Sequence, residues 1–200
     1  MNTQTVGTRT KNGRTRFKAL WMPVILLATG ALWLLAGQEA HAQMGFAVEG
    51  RGGVTFPQGD LSDVGAEAGL SLGAELQANF HRNVTAYLGI HRNSFNCDNA
   101  CTTLGDDPHS TGIAAGLKYI FHSPGDIHVW GRGGIVADKL ESDLRSGDRE
   151  IGFELGLGGD MPIAQRLFLV PNIGFTSYDA GDGFTASFFT LGVGLHYHIR

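Results

Sequence analysis

The chain has 200 residues, enough for one domain rather than two, and carries 15 Lys and Arg against 19 Asp and Glu. That balance, a formal net charge of −4 with no basic stripe, excludes a nucleic-acid-binding surface of the usual kind. Two cysteines are present, Cys97 and Cys101, close together in a polar stretch.

The first element is a leader. Arg9, Lys11, Arg14, Arg16 and Lys18 form a basic start, an apolar run follows from Ala19 to Gly37, and the small-x-small triplet Ala40-His41-Ala42 closes it. This order predicts a secretory signal peptide over residues 1–42, cleaved before Gln43, and a mature domain over 43–200. An uncleaved anchor competes, because a run of this length just spans a bilayer. The triplet, with Pro23 and Gly30 inside the run, favours cleavage. The mature part then holds eight Arg and two Lys against eighteen Asp and Glu, a formal charge of −8.

The mature part has no helical period; it alternates at period two, eight times over. The first run sets Phe46, Val48, Val54 and Phe56 against Ala47, Glu49, Arg51 and Thr55. The second runs from Ala68 through Leu70, Leu72, Leu76 and Phe80, against Glu67, Ser71, Glu75, Gln77 and Asn79. The third opposes Val84, Leu88 and Ile90 to Thr85, Tyr87 and His91, and the fourth Ile113, Leu117, Tyr119 and Phe121 to glycines and Lys118. Ile127, Val129 and Ile135 against His128, Trp130 and Arg132 make the fifth. Ile151, Phe153, Leu155 and Leu157 against Glu154 and Asp160 make the sixth. The seventh, with Leu167, Leu169, Ile173 and Phe175 against Arg166, Asn172 and Thr176, is the noisiest, since Phe168 and Val170 fall on its polar face. The eighth sets Phe189, Leu191, Val193, Leu195, Tyr197 and Ile199 against Thr190, His196 and His198.

The connections alternate long and short. Pro57–Asp63, Asn93–Ser110, Asp138–Asp148 and Asp179–Gly183 are the long ones; His81-Arg82, Ser123-Pro124-Gly125 and Pro162-Ile163-Ala164 are the tight ones. Such an order predicts an all-β, eight-stranded antiparallel up-and-down barrel with both termini on the short-turn side. The long stretch Asn93–Ser110 holds Cys97 and Cys101. In the oxidising compartment reached after export, a disulfide between them is the expected pairing. A metal site competes, but no Cys or His partners stand at zinc-like spacing. The loop such a bond closes is so short that it fixes little beyond local shape.

Alternation alone does not say which face points in. A soluble lipocalin-like carrier would bury the apolar face and show the polar one to water. The polar face here is mostly Gly, Ser, Ala and Asn with one or two charges per strand, which suits a narrow lumen better than a soluble exterior. The apolar face is free of charge, as a surface in hydrocarbon must be. The strands are therefore read as transmembrane β-strands.

On strand count, loop order and the last alternating strand, Leu191-x-Val193-x-Leu195-x-Tyr197-x-Ile199, residues 44–200 resemble the small eight-stranded outer-membrane barrels of the OmpA/OmpX type. The resemblance implies a Gram-negative cell outer membrane location, surrounding lipid and lipopolysaccharide as partners, and the barrel-assembly machinery during biogenesis. Members usually end on an aromatic residue, whereas this chain ends Ile199-Arg200 with Tyr197 as its nearest aromatic.

Glu49, Arg51, Glu75, Lys118, Arg132, Glu154, Asp160 and Arg166 all take inward parity and are expected to interlock as an ion-pair network with Tyr87 and Trp130. His122, His128, His196 and His198 also take inward parity near the short-turn end, where polar lining is the expectation rather than a metal site. No cofactor is expected: Gly156-x-Gly158-Gly159 lies inside a strand with no helix after it. A lipid-modifying enzyme would need an outward Ser–His pair, and no His-x-Ser occurs. The acidic loops, with Asp60, Asp63, Asp98, Asp106, Asp107, Asp138, Glu141, Asp143, Asp179 and Asp182, are expected to face outside, where solubility of exposed loops is the first reading and binding of divalent cations, of lipopolysaccharide through such cations, or of a basic extracellular partner the second. The reading is a monomeric, non-enzymatic structural or surface-interaction barrel with a largely plugged lumen. An enzyme or narrow channel on the same barrel is the runner-up, and a soluble periplasmic carrier the third reading.

Overall fold

Strands that alternate small or polar residues with apolar ones have two chemically distinct faces, and closing the sheet assigns one face to the inside. The computed structural model describes residues 45–97, 108–123, 125–142, 148–181 and 183–199. In chain order these form β1 (Gly45–Gln58), α1 (Asp60–Asp63), β2 (Ala66–Glu67), β3 (Gly69–His81), β4 (Val84–Ser94) and β5 (Asn96–Cys97). There follow β6 (His109–His122), β7 (His128–Glu141), β8 (Glu150–Ala164), β9 (Leu167–Asp179) and β10 (Thr185–His198). Eight of the strands close a barrel in the order β1-β3-β4-β6-β7-β8-β9-β10, all antiparallel, and β1 completes the ring by pairing with β10. Val54 lies opposite Leu70 on one side and Leu191 on the other, so the barrel has no free edge. β2 and β5 pair separately at the long-loop end, Ala66 opposite Cys97.

Adjacent residues decide the orientation of the wall. Leu155 is 55% exposed and Leu117 53%, while their neighbours Glu154 and Lys118 are 6% and 2% exposed. Phe46, Leu72, Leu88, Ile135, Phe153 and Leu191 share the outward face. The apolar face therefore points out on every strand, opposite to the arrangement of a soluble carrier. The barrel strands run 11 to 15 residues, and about 9–11 suffice to cross a bilayer at a tilt.

Several boundaries differ from the sequence pattern, two of them for a visible steric or hydrogen-bonding reason. The second run breaks at Ala68 into β2 and β3, because the chain passes hard against the end of β4. A Cβ on Gly69 would stand 1.8 Å from the Ser94 carbonyl oxygen. The Pro162-Ile163-Ala164 segment, expected as a turn, is the end of β8, and the reversal falls at Gln165-Arg166. Proline has no N–H for the ladder, and the register between β8 and β9 slips between Pro162 and Ala164 to accommodate it.

The largest apolar core sits at the long-loop end. Leu61 of α1, Ala66, Phe95, Leu140, Tyr178, Ala186 and Phe188 bury one another there, with Val64, Ala180 and Phe184 against them.

A charge on the outward face at mid-strand costs about 2–4 kcal/mol near the bilayer midplane. Leu155→Arg and Leu117→Arg are accordingly expected to lose most of the folded, heat-modifiable band on gels, while Asp63→Arg in the exposed loop end keeps it. Full folding of Leu155→Arg would show that this face does not meet hydrocarbon.

Candidate functional site

The barrel interior is built in layers. At mid-height β1, β3, β4, β7 and β8 aim charged and polar side chains at one another. The Arg132 guanidinium donates to Glu75 Oε2 at 3.0 Å and to Glu154 Oε2 at 3.4 Å. Arg51 bonds the same Glu75 carboxylate and approaches Glu49 Oε1 at 3.5 Å. Gln77 donates to both Glu49 and Glu75 at 2.8 Å, and the Tyr87 hydroxyl donates to Glu154 at 2.6 Å. The Arg132 guanidinium also lies 5.2 Å from the Tyr87 ring centroid. Two guanidinium groups thus meet three carboxylates where water is scarce, and each ion depends on its partners to offset the loss of hydration.

Glycines on facing strands make the room. A Cβ on Gly156 would stand 3.0 Å from the Arg132 side chain, and Cβ atoms on Gly116 and Gly134 would stand 2.5 and 2.4 Å from the Tyr87 hydroxyl. The Gly156-x-Gly158-Gly159 run is therefore a seat for large luminal groups: a Cβ on Gly158 would strike the Trp130 ring at 2.4 Å.

Toward the short-turn end, Lys118 Nζ bonds Asp160 Oδ1 at 3.1 Å and lies 4.4 Å from the Trp130 ring centroid. Trp130 Nε1 donates to the same Asp160 oxygen at 2.9 Å. His196 sits between Glu49 and Asp160, its Nδ1 3.9 and 4.0 Å from their oxygens, and neither ring nitrogen makes a hydrogen bond. Its ring lies 4.6 Å from that of His198 and 5.9 Å from that of Phe168. A cavity of about 200 Å³ opens here between Gln77, Lys118, His128, Asp160 and His196.

Toward the long-loop end, His91 Nε2 meets Asp138 Oδ1 at 2.7 Å, and Ser71 donates to Asn93 at 2.7 Å. Gly112 leaves space for the Asp138 carboxylate, which a Cβ would meet at 1.6 Å. A cavity of about 50 Å³ lies between this layer and the Arg51–Glu75–Arg132 layer. Beyond it stands the apolar core, where Phe95 and Phe188 meet edge to face at 5.4 Å.

Of the eight residues expected in the network, Glu49, Arg51, Glu75, Arg132 and Glu154 are joined by ion pairs, while Lys118 and Asp160 form a separate pair in the lumen. Arg166 joins neither; because β8 runs on past Pro162, Arg166 falls in the exposed turn. His122 is exposed rather than inward, since the β6–β7 register slips between Ile120 and His122. His128 Nδ1 contacts the Ser123 hydroxyl at 2.9 Å. Asp138, expected in an outer loop, is fully buried in β7. Asp60 and Asp179 pin their loops instead of projecting freely, accepting from the Thr185 and Gly181 N–H groups at 2.9 Å. Cys97 ends β5, and its expected partner Cys101 lies outside the described residues, as do Asp98, Asp106, Asp107, Asp143 and Asp182. The sequence reading missed the apolar core; its signal was isolated large apolar residues, Leu61 and Phe95, in otherwise polar loops. Among the described residues no group of three or more His, Cys, Asp or Glu stands close enough to hold a metal ion.

Residues 24–197 match the family model of the outer membrane protein beta-barrel domain. Among solved structures the chain is similar to Neisserial surface protein A, at 12% identity and a TM-score of 0.61 over 76% of this chain and 96% of that one. It is also similar to a major outer membrane protein from Thermus thermophilus, at 15% identity and a TM-score of 0.51 over 78% and 99% of the two chains. A third likeness is to the outer membrane protein OprG from Pseudomonas aeruginosa, at 12% identity and a TM-score of 0.50 over 78% and 96%. At these identities the likeness carries the fold. No curated protein sequence matches the chain.

Arg132→Ala leaves Glu75 with one cationic partner and Glu154 with none. It is expected to lower stability by about 3–5 kcal/mol, read from urea unfolding in lipid vesicles. Arg132→Met combined with Glu154→Gln removes the stranded charge and recovers part of that loss. Gly158→Val is expected to displace Trp130, seen as a change in its fluorescence.

Proposed function

Because the chain belongs to the outer membrane protein beta-barrel domain family, we propose that it is an integral barrel of the bacterial outer membrane whose filled lumen serves structure and surface interaction, not transport or catalysis. The short-turn end then faces the periplasm and the long loops face outside, the usual arrangement of such barrels. The observation that carries the reading is the Arg51–Glu75–Arg132–Glu154 layer with the apolar core above it. An eight-stranded bore is only wide enough for its own side chains. Here two arginines, a tyrosine and a tryptophan occupy it, and an ion crossing it would have to separate charge pairs from which water is largely excluded.

Against an enzyme stands the chemistry of the lipid-facing wall. Ser177 and Ser187, the outward serines near the loops, contact each other at 2.8 Å and no histidine. In this reading outer-membrane lipid surrounds the apolar band, the assembly machinery inserts the barrel, and the loop end, α1 with the β2–β5 pair, is the surface presented to the outside.

Two measurements test it. The protein is expected to remain with outer membranes after carbonate washing and to show heat-modifiable mobility; recovery in the soluble periplasmic fraction would refute the location. In planar bilayers the purified protein is expected to show little or no steady conductance. Stable large channels from the unmutated protein would overturn the filled-lumen reading and put transport first.

A further inference from the structure

The lumen holds more buried carboxylate than cation. Glu49, Glu75, Asp138, Glu154 and Asp160 are each no more than 6% exposed. Among the described residues the lumen sets against these five only Arg51, Lys118 and Arg132, with the His91 imidazole on Asp138. Counting His91 as a fourth cation still leaves one carboxylate without a charge to balance it. The excess falls at Glu49. Glu75 and Glu154 are held by guanidinium groups and Asp160 by Lys118, whereas the one cation near Glu49 is Arg51 at 3.5 Å, which also serves Glu75. A buried carboxylate so thinly compensated is costly, and its surroundings attract a further positive charge.

The second observation is His196, which stands between Glu49 and Asp160. It is 4% exposed, and neither ring nitrogen has a hydrogen-bond partner among the described residues. Buried polar groups are nearly always paired, so an imidazole with both nitrogens free stands ready for a partner from outside the chain. Nδ1 is the nitrogen turned toward the two carboxylates, at 3.9 and 4.0 Å. An N–H at that position leaves Nε2, on the far edge of the ring, as a hydrogen-bond acceptor.

His196 and Asp160 line the cavity of about 200 Å³ at the short-turn end. Gln77, Lys118, Asp160 and His196 in its lining are buried, while His128 and His198, at the strand ends, are half-buried, so the cavity runs inward from the mouth. Lys118 and Trp130 both bond Asp160 Oδ1, which leaves Oδ2 to the cavity. Gln77 gives its Nε2 to Glu49 and Glu75, so its carbonyl oxygen is on the other edge of the amide. The cavity thus offers a guest mainly acceptors. An anion would meet Lys118 but would also sit against Asp160 in a lumen that already carries too much negative charge. A cavity of about 150 Å³ holds a benzene-sized guest, so this one admits roughly six heavy atoms.

We propose that this cavity binds a small organic cation of the primary alkylammonium class, its ammonium group donating to Asp160 Oδ2 and His196 Nε2. The imidazole relays the charge: Nε2 accepts from the ammonium while Nδ1–H faces Glu49, so the guest compensates a carboxylate that it does not touch. The alkyl part meets Ile120 and Phe168, which line the same cavity. A bare alkali ion suits the site less, because it prefers oxygen ligands to an imidazole nitrogen and is too small for the space. The inference goes beyond the filled-lumen reading and rests on the orientation given above only for the compartment, the periplasm, from which the amine enters.

The test uses the mature protein folded in detergent micelles at about pH 8, where an alkylammonium keeps its proton and a free imidazole has lost its own. Trp130 is the single tryptophan of residues 43–200 and donates to Asp160, so its fluorescence reports on the site. Butylammonium is expected to change that fluorescence saturably, with a Kd of about a millimolar for a guest of this size. Butan-1-ol, butanoate, tetramethylammonium and sodium are each expected to bind at least about tenfold more weakly. His196→Leu is expected to weaken butylammonium at least about tenfold, and so is Glu49→Gln, although Glu49 does not line the cavity. Arg92→Gln at the long-loop end is expected to change nothing. Equal binding of butan-1-ol or butanoate removes the role of charge, equal binding of tetramethylammonium removes the N–H bond to His196, and full competition by sodium makes this an alkali-ion site; each overturns the proposal. Unchanged affinity in either folded variant overturns it too, and the set of ligands tried on the unmutated protein decides the matter where a variant fails to fold. A refutation here leaves the membrane barrel standing, since fractionation and conductance test that reading separately.

Discussion

Hydrocarbon offers no hydrogen bonds, so a sheet that crosses it must satisfy every backbone N–H and C=O from within. The pairing of β1 with β10 is the step that meets this demand, because it removes the last two open edges. Much else follows from that closure. A closed sheet of eight strands has a narrow bore, and a wall in contact with lipid must be apolar outside, so the polar half of each strand is forced inward. The period-two pattern is the record of that division.

A narrow polar bore creates its own difficulty, since ionised groups in it are far from bulk water. The solution is a set of mutual contacts in which Glu75 serves both Arg51 and Arg132, Glu154 serves Arg132 and Tyr87, and Asp160 serves Lys118 and Trp130. Each contact needs space, which comes from glycines on the neighbouring strands. Gly116, Gly134 and Gly158 could not carry a side chain where Tyr87 and Trp130 now lie, and one on Gly156 would crowd Arg132. Large groups and glycines are therefore complementary, and the high glycine content is part of the packing of the lumen.

The ends of the barrel obey different rules from its middle. At the long-loop end the chain leaves the sheet, and Leu61, Phe95, Tyr178 and Phe188 form an apolar core of the kind found in water-soluble domains. Loop carboxylates are drawn into this order: Asp60 accepts from the Thr185 backbone and so ties α1 to β10. The acidic character of the loops is thus partly a matter of holding them together. Among the described residues, the outward cations just below this core, Arg92, Lys139 and Arg149, lie on β4, on β7 and just before β8.

Much of this was legible in the residues themselves. Alternation read strand by strand determined the class, the strand number and the direction of each face, because a one-residue change of parity would put Leu155 or Leu117 in the lumen and Glu154 or Lys118 in lipid. Parity likewise turned seven of the eight expected charged residues toward the lumen, where they divide into a five-membered set and the Lys118–Asp160 pair. It failed where the period itself fails. Pro162 carries β8 through a slip in register and leaves Arg166 in a turn, and a similar slip leaves His122 exposed at the end of β6. Parity also says which way a side chain points but not what it meets, so the contacts of Gln77, the burial of Asp138 against His91, and the gathering of Leu61 with Phe95 and Phe188 depend on strand order, shear and loop path. Those are properties of the closed barrel: Tyr87 and Glu154, 67 positions apart, become hydrogen-bonded neighbours only when the sheet has curled far enough to face itself.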